Sequence, residues 1–522
     1  MAVPSNYWDK RALRRLTEAE KQGEAYSKRI QKIYEQANRN IQRDIENIYA
    51  NYSKATGMDV QTLKTLLTKS QTQKLWDELR AKGLDKYVKG NYKARITRLE
   101  QSQAQIYAKV KEVYSQEQKT HTACYSDVLN DSYYKTIYDA QMGTGSDFAF
   151  STLDDNLVES VLSERWSGKN YSQRIWGNTD ILAQSVSEII GGALLSGQSI
   201  QKTSRQIRER FDVAKYYADR LVRTECNHFH NQADAMAYEE MDVEKYVFMA
   251  VLDTRTSTIC QNLDNKVFEL KKRHVGENYP PMHPNCRSTT RAYMGEEIEK
   301  TLKRRARNPI TGENEVIDNM SYKDWYNAKV KENGKTAVDN AYKRIKNKAT
   351  DKAQYEKYIN VVGRQNMPKT LEKWQDLKYN NIKEYKLTKY NYKLRNETMH
   401  NPENVVKNLN VATEKYTKYL FDGENEKGLI KGKLITEVLG YDKNNYMDFD
   451  KLLKENISCF PKRYKGTDVY GDRYEVNTVL KGITGRQAKV TVGVMKTNNQ
   501  YKLTSVYIEK LTRNDLKYEI NK

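Results

Sequence analysis

Proline, cysteine, histidine and long apolar runs are all scarce in this chain. Its 522 residues hold eight prolines, five cysteines and six histidines. Five thiols scattered at positions 124, 226, 260, 286 and 459 form no disulfide framework, and an odd count suits a reducing cytoplasm. No stretch approaches the ~20 apolar residues of a membrane span, and MAVPSNYWDKR contains no apolar signal core, so the expectation is a chain made in the cytoplasm with no membrane partner. His400 is the only histidine after His283, which excludes a histidine-pair ribonuclease mechanism in the C-terminal part.

What remains is polar and basic. Charged residues make up 30% and apolar ones 38%, enough for several cores and too many for a disordered chain. Much of the apolar surface comes from 39 tyrosines, which bury a ring and keep a hydroxyl wet. A net charge of +21 suits a polyanionic partner, because lysines and arginines near phosphates gain affinity by releasing counterions. Charged helix faces on a basic protein give the same composition.

The pattern predicts a mostly α chain with long N-terminal helices, a middle α+β domain with a zinc-type loop, and a small C-terminal α+β domain. Residues 8–118 are almost free of Gly and Pro and rich in helix formers. Ile30, Ile33, Tyr34, Ala37, Ile41, Ile45 and Ile48 recur in steps of three and four, giving one stripe that needs a partner helix. Shorter helices are expected over 57–85, then a long one from Lys86 to Gln118. The divisions expected are a helical arm over 1–119, a middle domain over 120–295, a basic helical connector over 296–411 and a C-terminal domain over 412–522. In the last, helices at Gly428–Leu439 and Phe449–Ile457 precede strands at Tyr474–Leu480, Ala488–Val494 and Tyr501–Ile508, with turns at Gly482–Gly485 and Thr497–Asn499.

The segment from Leu252 to Thr290 constrains the chemistry most. Cys260 lies about 25 residues before a His283-Pro-Asn-Cys286 element stiffened by Pro280, Pro281 and Pro284. Two thiols and an imidazole at that spacing suit a structural tetrahedral zinc. The fourth position is open to His230, His274, Asp253 or water. The alternative is two small buried cysteines and a histidine that caps a turn. Lys303, Arg304, Arg305 and Arg307, in the run KTLKRRAR, are candidates for phosphate contact or equally for a solvated face.

These residues carry a resemblance. Asp253-Thr-Arg-Thr, Cys260 and Pro280-Pro-Met-His283-Pro-Asn-Cys286-Arg287 resemble the signature of Mu F-like phage head morphogenesis (minor head) proteins. Arg223-Thr-Glu225 with Asn231, Asn308-Pro-Ile-Thr-Gly, Met320-Ser-Tyr322-Lys-Asp-Trp325-Tyr326 and the opening Tyr7-Trp8-Asp-Lys-Arg11 extend it over roughly residues 5 to 380, toward the Gram-positive phage branch. Many members carry Cys-x-x-Cys, whereas Ser257 stands here where the first Cys would be. The resemblance implies a virion protein at the phage head interior or portal, with portal, capsid or scaffold proteins and packaged double-stranded DNA as partners, acting in head assembly or in genome packaging or delivery. It also places the helix of Arg223 and Glu225 beside the loop, making His230 the preferred fourth ligand and Arg223, Glu225 and Asp253 its support.

Lys418-Tyr-Leu-Phe-Asp, Lys427-Gly-Leu-Ile-Lys-Gly-Lys433 and Asp468-Val-Tyr470-Gly-Asp-Arg473-Tyr474-Glu-Val resemble the DUF6883-type domain, often found at the ends of polymorphic toxins and related phage proteins. A helix-then-meander order is also that of small metal-independent ribonucleases. On that reading Lys433, Tyr470, Arg473 and Tyr474 are the candidate catalytic group; otherwise they are turn, packing and surface residues.

Overall fold

The computed structural model describes residues 4–54, 57–498 and 500–512. Two compact units divide the chain, Met1–Glu332 and Asn333–Lys522. That division falls inside the expected connector. Residues 1–3, and Asn499 of the expected Thr497–Asn499 turn, lie outside the described residues.

Four long helices build the first unit: α1 (Tyr7–Tyr52), α2 (Arg98–Thr144), α3 (Tyr171–Ser196) and α4 (Ile200–Glu240). No proline occurs between Pro4 and Pro280, so no proline interrupts the i→i−4 ladder within any of the four. The stripe predicted on α1 forms as read. Ile30, Tyr34, Ile41 and Ile45 are buried, and Ile33, Ala37 and Ile48 pack against the same core. The partner helices are α2 and α4 of the same chain. Each fully buried Ile or Leu contributes roughly 1.5–3 kcal/mol, so this seam holds the unit together.

The helix expected from Lys86 begins instead at Arg98. A capping box sets that start: Thr97 Oγ1 accepts from the Glu100 amide and Glu100 returns a bond to the Thr97 amide. The Asn170–Gln173 box starts α3 in the same way, and Gly197 ends it at φ +66°, a left-handed value open to glycine. Residues 200–240 form one uninterrupted helix, α4.

A three-stranded antiparallel sheet follows, with β1 (Lys245–Met249) between β2 (Val267–Glu269) and β3 (Thr289–Ala292). Helix α5 (Thr258–Leu263) lies between β1 and β2 in sequence. Beyond the sheet, β4 (Lys303–Arg307) and β5 (Asn314–Asp318) form an antiparallel hairpin where a helical connector was expected. The alternation Lys-Arg-Arg-Ala-Arg explains it. Period two buries Arg304 and Ala306 and exposes Lys303, Arg305 and Arg307.

The second unit opens with α6 (Lys335–Lys346), α7 (Lys348–Val362), α8 (Leu371–Asn380) and α9 (Ile382–His400), of which α7 and α8 share a tyrosine-rich cluster around Trp374. A five-stranded sheet then forms in the order β6 (Leu409–Asn410), β10 (Gln500–Glu509), β9 (Gln487–Thr497), β8 (Gly471–Lys481), β7 (Lys462–Asp468). The three expected strands and the helices α10 (Glu426–Leu439) and α11 (Tyr446–Ile457) are all present. The Gly-x-x-x-Gly of the Lys427–Lys433 motif has a packing reason. A Cβ at Gly432 would sit 1.8 Å from the Leu420 carbonyl oxygen, and one at Gly428 2.1 Å from that of Tyr419. Helix α10 therefore lies directly on the Tyr416–Leu420 turn.

Candidate metal centre

The loop that bears the predicted ligands is fastened to α4 by side chains one helical turn apart. Thr224 Oγ1 accepts from the Asn285 amide at 3.0 Å. Asn227 and Asn231 both donate to the Ser288 carbonyl, at 2.9 and 3.4 Å, and Tyr279 donates to the Asn231 carbonyl at 2.6 Å. Within the loop the Cys286 amide returns to the His283 carbonyl at 3.1 Å. Asn285 takes φ +59° at that turn, a conformation asparagine tolerates better than most residues. Across the loop, α5 begins at Ser257, whose hydroxyl accepts from the Cys260 amide at 3.3 Å. The N-cap thus fixes Cys260 in the first helical turn, facing the His-Pro-Asn-Cys element.

Here the three predicted ligands meet. Cys260 Sγ lies 3.4 Å from His283 Nε2 and 3.8 Å from Cys286 Sγ, and all three donor atoms fall within 4.8 Å of one another. Bonds of ~2.3 Å to sulfur and ~2.0 Å to nitrogen at a tetrahedral angle would separate two sulfurs by ~3.8 Å and sulfur from nitrogen by ~3.6 Å. The donor set therefore fits a tetrahedral ion. His283 is poised for the role: Nδ1 stands 2.9 Å from the Pro284 carbonyl, which can only accept, so Nδ1 carries the proton and Nε2 presents its lone pair. Ser257 Oγ lies 2.7 Å from the same Nε2, and its hydroxyl donates to that lone pair.

Electrostatics divides the two thiols. A hydrogen bond with Cys286 is the largest cause that brings Cys260 down to about 6; bonds from Ser257 and Ser288 and the charge of Arg287 add to it, against burial. Cys286 is pushed up by the same bond and by burial. Phe248 and Ala250 pack behind the pair, with Leu263, Phe268 and Met282 at its edge. One ready thiolate and a second thiol in a dry wall suit a soft or borderline cation.

His230 is not brought to this cluster. It is fully buried between α2 and β3, with Nδ1 2.9 Å from Ser132 Oγ and Nε2 3.2 Å from Thr289 Oγ1. His274 is exposed and outside the cluster. Asp253 supports from behind: its carboxylate receives both Arg287 nitrogens at 2.8 Å, next to Cys286. Burial pushes the Asp253 carboxyl up, but the bonds and charges of Arg287 and Arg255 together hold it below its usual range. Arg223 points away and pairs with Asp219 at 3.0 Å and Glu24 at 3.6 Å. Glu225 is buried, accepts from Trp166 Nε1 at 3.0 Å, and is raised to about 7 by desolvation. Ser257, Thr224 and Asn227 carry the architecture, and sequence reading missed them. The readable signal is Ser257-x-x-Cys260, the spacing of a helix N-cap.

The basic run divides. Arg304 is buried, clasps Asp264 with two bonds of 3.0 Å and donates to the carbonyls of Ala250 and Met320, so it is not a phosphate ligand. Lys303 pairs with Asp318 at 2.8 Å, Arg307 donates to the Gly312 carbonyl at 2.8 Å, and Arg305 is exposed. In the second unit, Tyr470 is exposed at the β7–β8 turn, Arg473 pairs with Asp468, and Tyr474 packs edge-on against Tyr464 and Tyr501. Lys433 is exposed on α10 and makes no hydrogen bond to these three.

Residues 401–510 match a domain of unknown function, DUF6883, which takes in β6 through β10. A curated relative, the NAD(+)--arginine ADP-ribosyltransferase EFV of Enterococcus faecalis, is 22% identical over 424 residues, 74% of this chain and 78% of its own length. An aligned stretch of that extent necessarily contains residues 184–291. No solved structure matches. Residues 184–291, which run from α3 through α4 and the Cys/His loop to β3, match the Phage Mu protein F like family.

Proposed function

We propose that this chain is a phage minor head protein acting in head morphogenesis, located in the virion with portal, capsid or scaffold proteins as partners and packaged DNA as a contact. The observation that supports it most is that the matched segment 184–291 coincides with one structural block, in which α4 grips the His-Pro-Asn-Cys loop. On this reading Cys260, His283 and Cys286 hold a zinc ion, with Ser257 or water completing the shell. The ion supplies a crosslink that closes a loop poor in apolar residues. The role is structural, because Asp253 is held by Arg287 and Glu225 by Trp166. The charge of +21 supports contact with DNA through exposed groups such as Arg305. The test is an immunoblot of gradient-purified particles beside the free protein pool. The chain should co-sediment with portal and capsid at low copy number; its absence from particles would overturn the reading.

A second reading has its own support. A relative named as an ADP-ribosyltransferase shares the middle of the chain, and the DUF6883 match lies in a separate compact unit. On this reading the head-protein body carries a C-terminal effector, with Lys433, Tyr470, Arg473 and Tyr474 as its candidate nuclease residues. Growth arrest on expressing residues 333–522, abolished by Arg473→Ala, would favour it; harmless expression would remove it.

A further inference from the structure

Helices α3 and α4 form a hairpin around Gly197, and a groove of about 800 Å³ runs along it, closed on one side by the Pro281–Pro284 wall of the Cys/His loop. Two ridges line the groove at four-residue steps. Gly177, Ile181 and Ser185 lie on α3, and Val213, Tyr217 and Leu221 on α4. Ile181 is 68% exposed, Val213 49% and Tyr217 44%, so this lining is apolar yet uncovered. A Cβ at Gly177 would meet nothing within 4 Å, which leaves room for a close backbone. Lys169, Arg210 and Arg220 stand on the rim, and none of them pairs with a carboxylate among the described residues. At the floor Glu225, 1% exposed, has its Oε1 3.5 Å from Arg174 Nε.

Two ridges, one of them opened by a glycine, are a surface into which a third helix packs. We propose that this groove receives an amphipathic helix of a partner head protein. The apolar edge of that helix seats between Ile181 and Tyr217, and its acidic flank meets Lys169, Arg210 and Arg220. The charge on the rim selects the partner's sign: Lys169, Arg210 and Arg220, the last stacked over the Tyr217 ring at 4.8 Å, have no carboxylate partner among the described residues, oppose a basic helix and favour Asp and Glu. The loop wall ties docking to the metal clip, since His283 is both a ligand and a groove residue. The inference rests on the head-protein reading and names the surface that reading lacks.

The test is photo-crosslinking of the full chain in assembling particles, with p-benzoylphenylalanine replacing Val213 or Ile181 and a control at exposed Val316. Crosslinked products are sequenced by mass spectrometry. A helix-forming segment of another head protein with an apolar stripe and acidic flank is expected at both groove positions and not at the control. Charge reversal by Arg210→Glu with Arg220→Glu should cut the yield at least ~10-fold. Crosslinks to a second copy of this chain, to DNA or to nothing, in particles that contain the protein, would overturn the groove assignment alone. Particles that lack the protein would overturn the head-protein reading and this inference together.

Discussion

Ser257 Oγ stands 2.7 Å from His283 Nε2 while also capping the helix that carries Cys260. One hydroxyl therefore joins the two halves of the cluster, from the position of the first Cys of a Cys-x-x-Cys. Ser257→Ala should lower stability by about 1 kcal/mol through loss of the cap. Ser257→Cys should supply a third thiolate and slow release of bound zinc to a chromogenic chelator. Release as fast as from the unaltered chain would show that the side chain at 257 does not reach the ion.

Arg304 illustrates a basic residue whose task is internal. It is 3% exposed and closes a two-bond pair with Asp264, which itself accepts from the Ala250 amide at 2.7 Å. Arg304→Leu would leave a buried carboxylate unpaired and should cost about 3–5 kcal/mol, read as a fall in Tm. Arg305→Ala, on the exposed face of the same strand, should change stability by no more than about 0.5 kcal/mol and, on the proposed DNA-contacting reading, weaken DNA binding only at low salt.

Glu225 gives a pH signature. Its folded pKa of about 7 lies above the ordinary 4.5, because burial disfavours the charged form. The folded state thus holds this proton more tightly than the unfolded state. The stabilisation is complete below about pH 4.5 and is lost as pH rises through about 7. Glu225→Gln keeps the neutral form at every pH. The stability of the unaltered chain relative to this variant should therefore fall by on the order of 3 kcal/mol between about pH 4.5 and 7.5. Urea unfolding of both proteins across that range checks it, and a flat difference would contradict it.

Gly432 tests the packing of the C-terminal unit. Its α-carbon faces the Leu420 carbonyl with no room for a methyl group, so Gly432→Ala must push α10 off the turn below it. A loss of about 1–3 kcal/mol is expected despite the better helix propensity of alanine. Gly177→Ala, in open space on α3, should be neutral or slightly stabilising.

Long-range periodicity carried well from sequence to structure. The α1 stripe, α10, α11 and the three central strands of the C-terminal sheet were legible because apolar residues cluster in them between clear turn signals. Strand β7, KRYKGTD, was not, since it is an edge strand with no apolar alternation of its own. The cluster of Cys260, His283 and Cys286 was legible because two thiols and an imidazole fall within one short segment stiffened by Pro280, Pro281 and Pro284. His230 misled because it lies on the helix that does brace the loop, yet its position on that helix turns its ring toward α2 and β3. Which face of a long helix meets a given loop is set by tertiary packing, and the local pattern does not encode it. The same holds for Arg304, whose burial follows from a strand where a charged run suggested surface.

Zinc K-edge X-ray absorption on the purified full chain tests the clip most directly. One zinc per chain with two sulfur neighbours at ~2.3 Å and nitrogen or oxygen at ~2.0 Å is expected, and Cys260→Ser with Cys286→Ser should abolish it. A first shell without sulfur, or zinc content unchanged in the double variant, would contradict it.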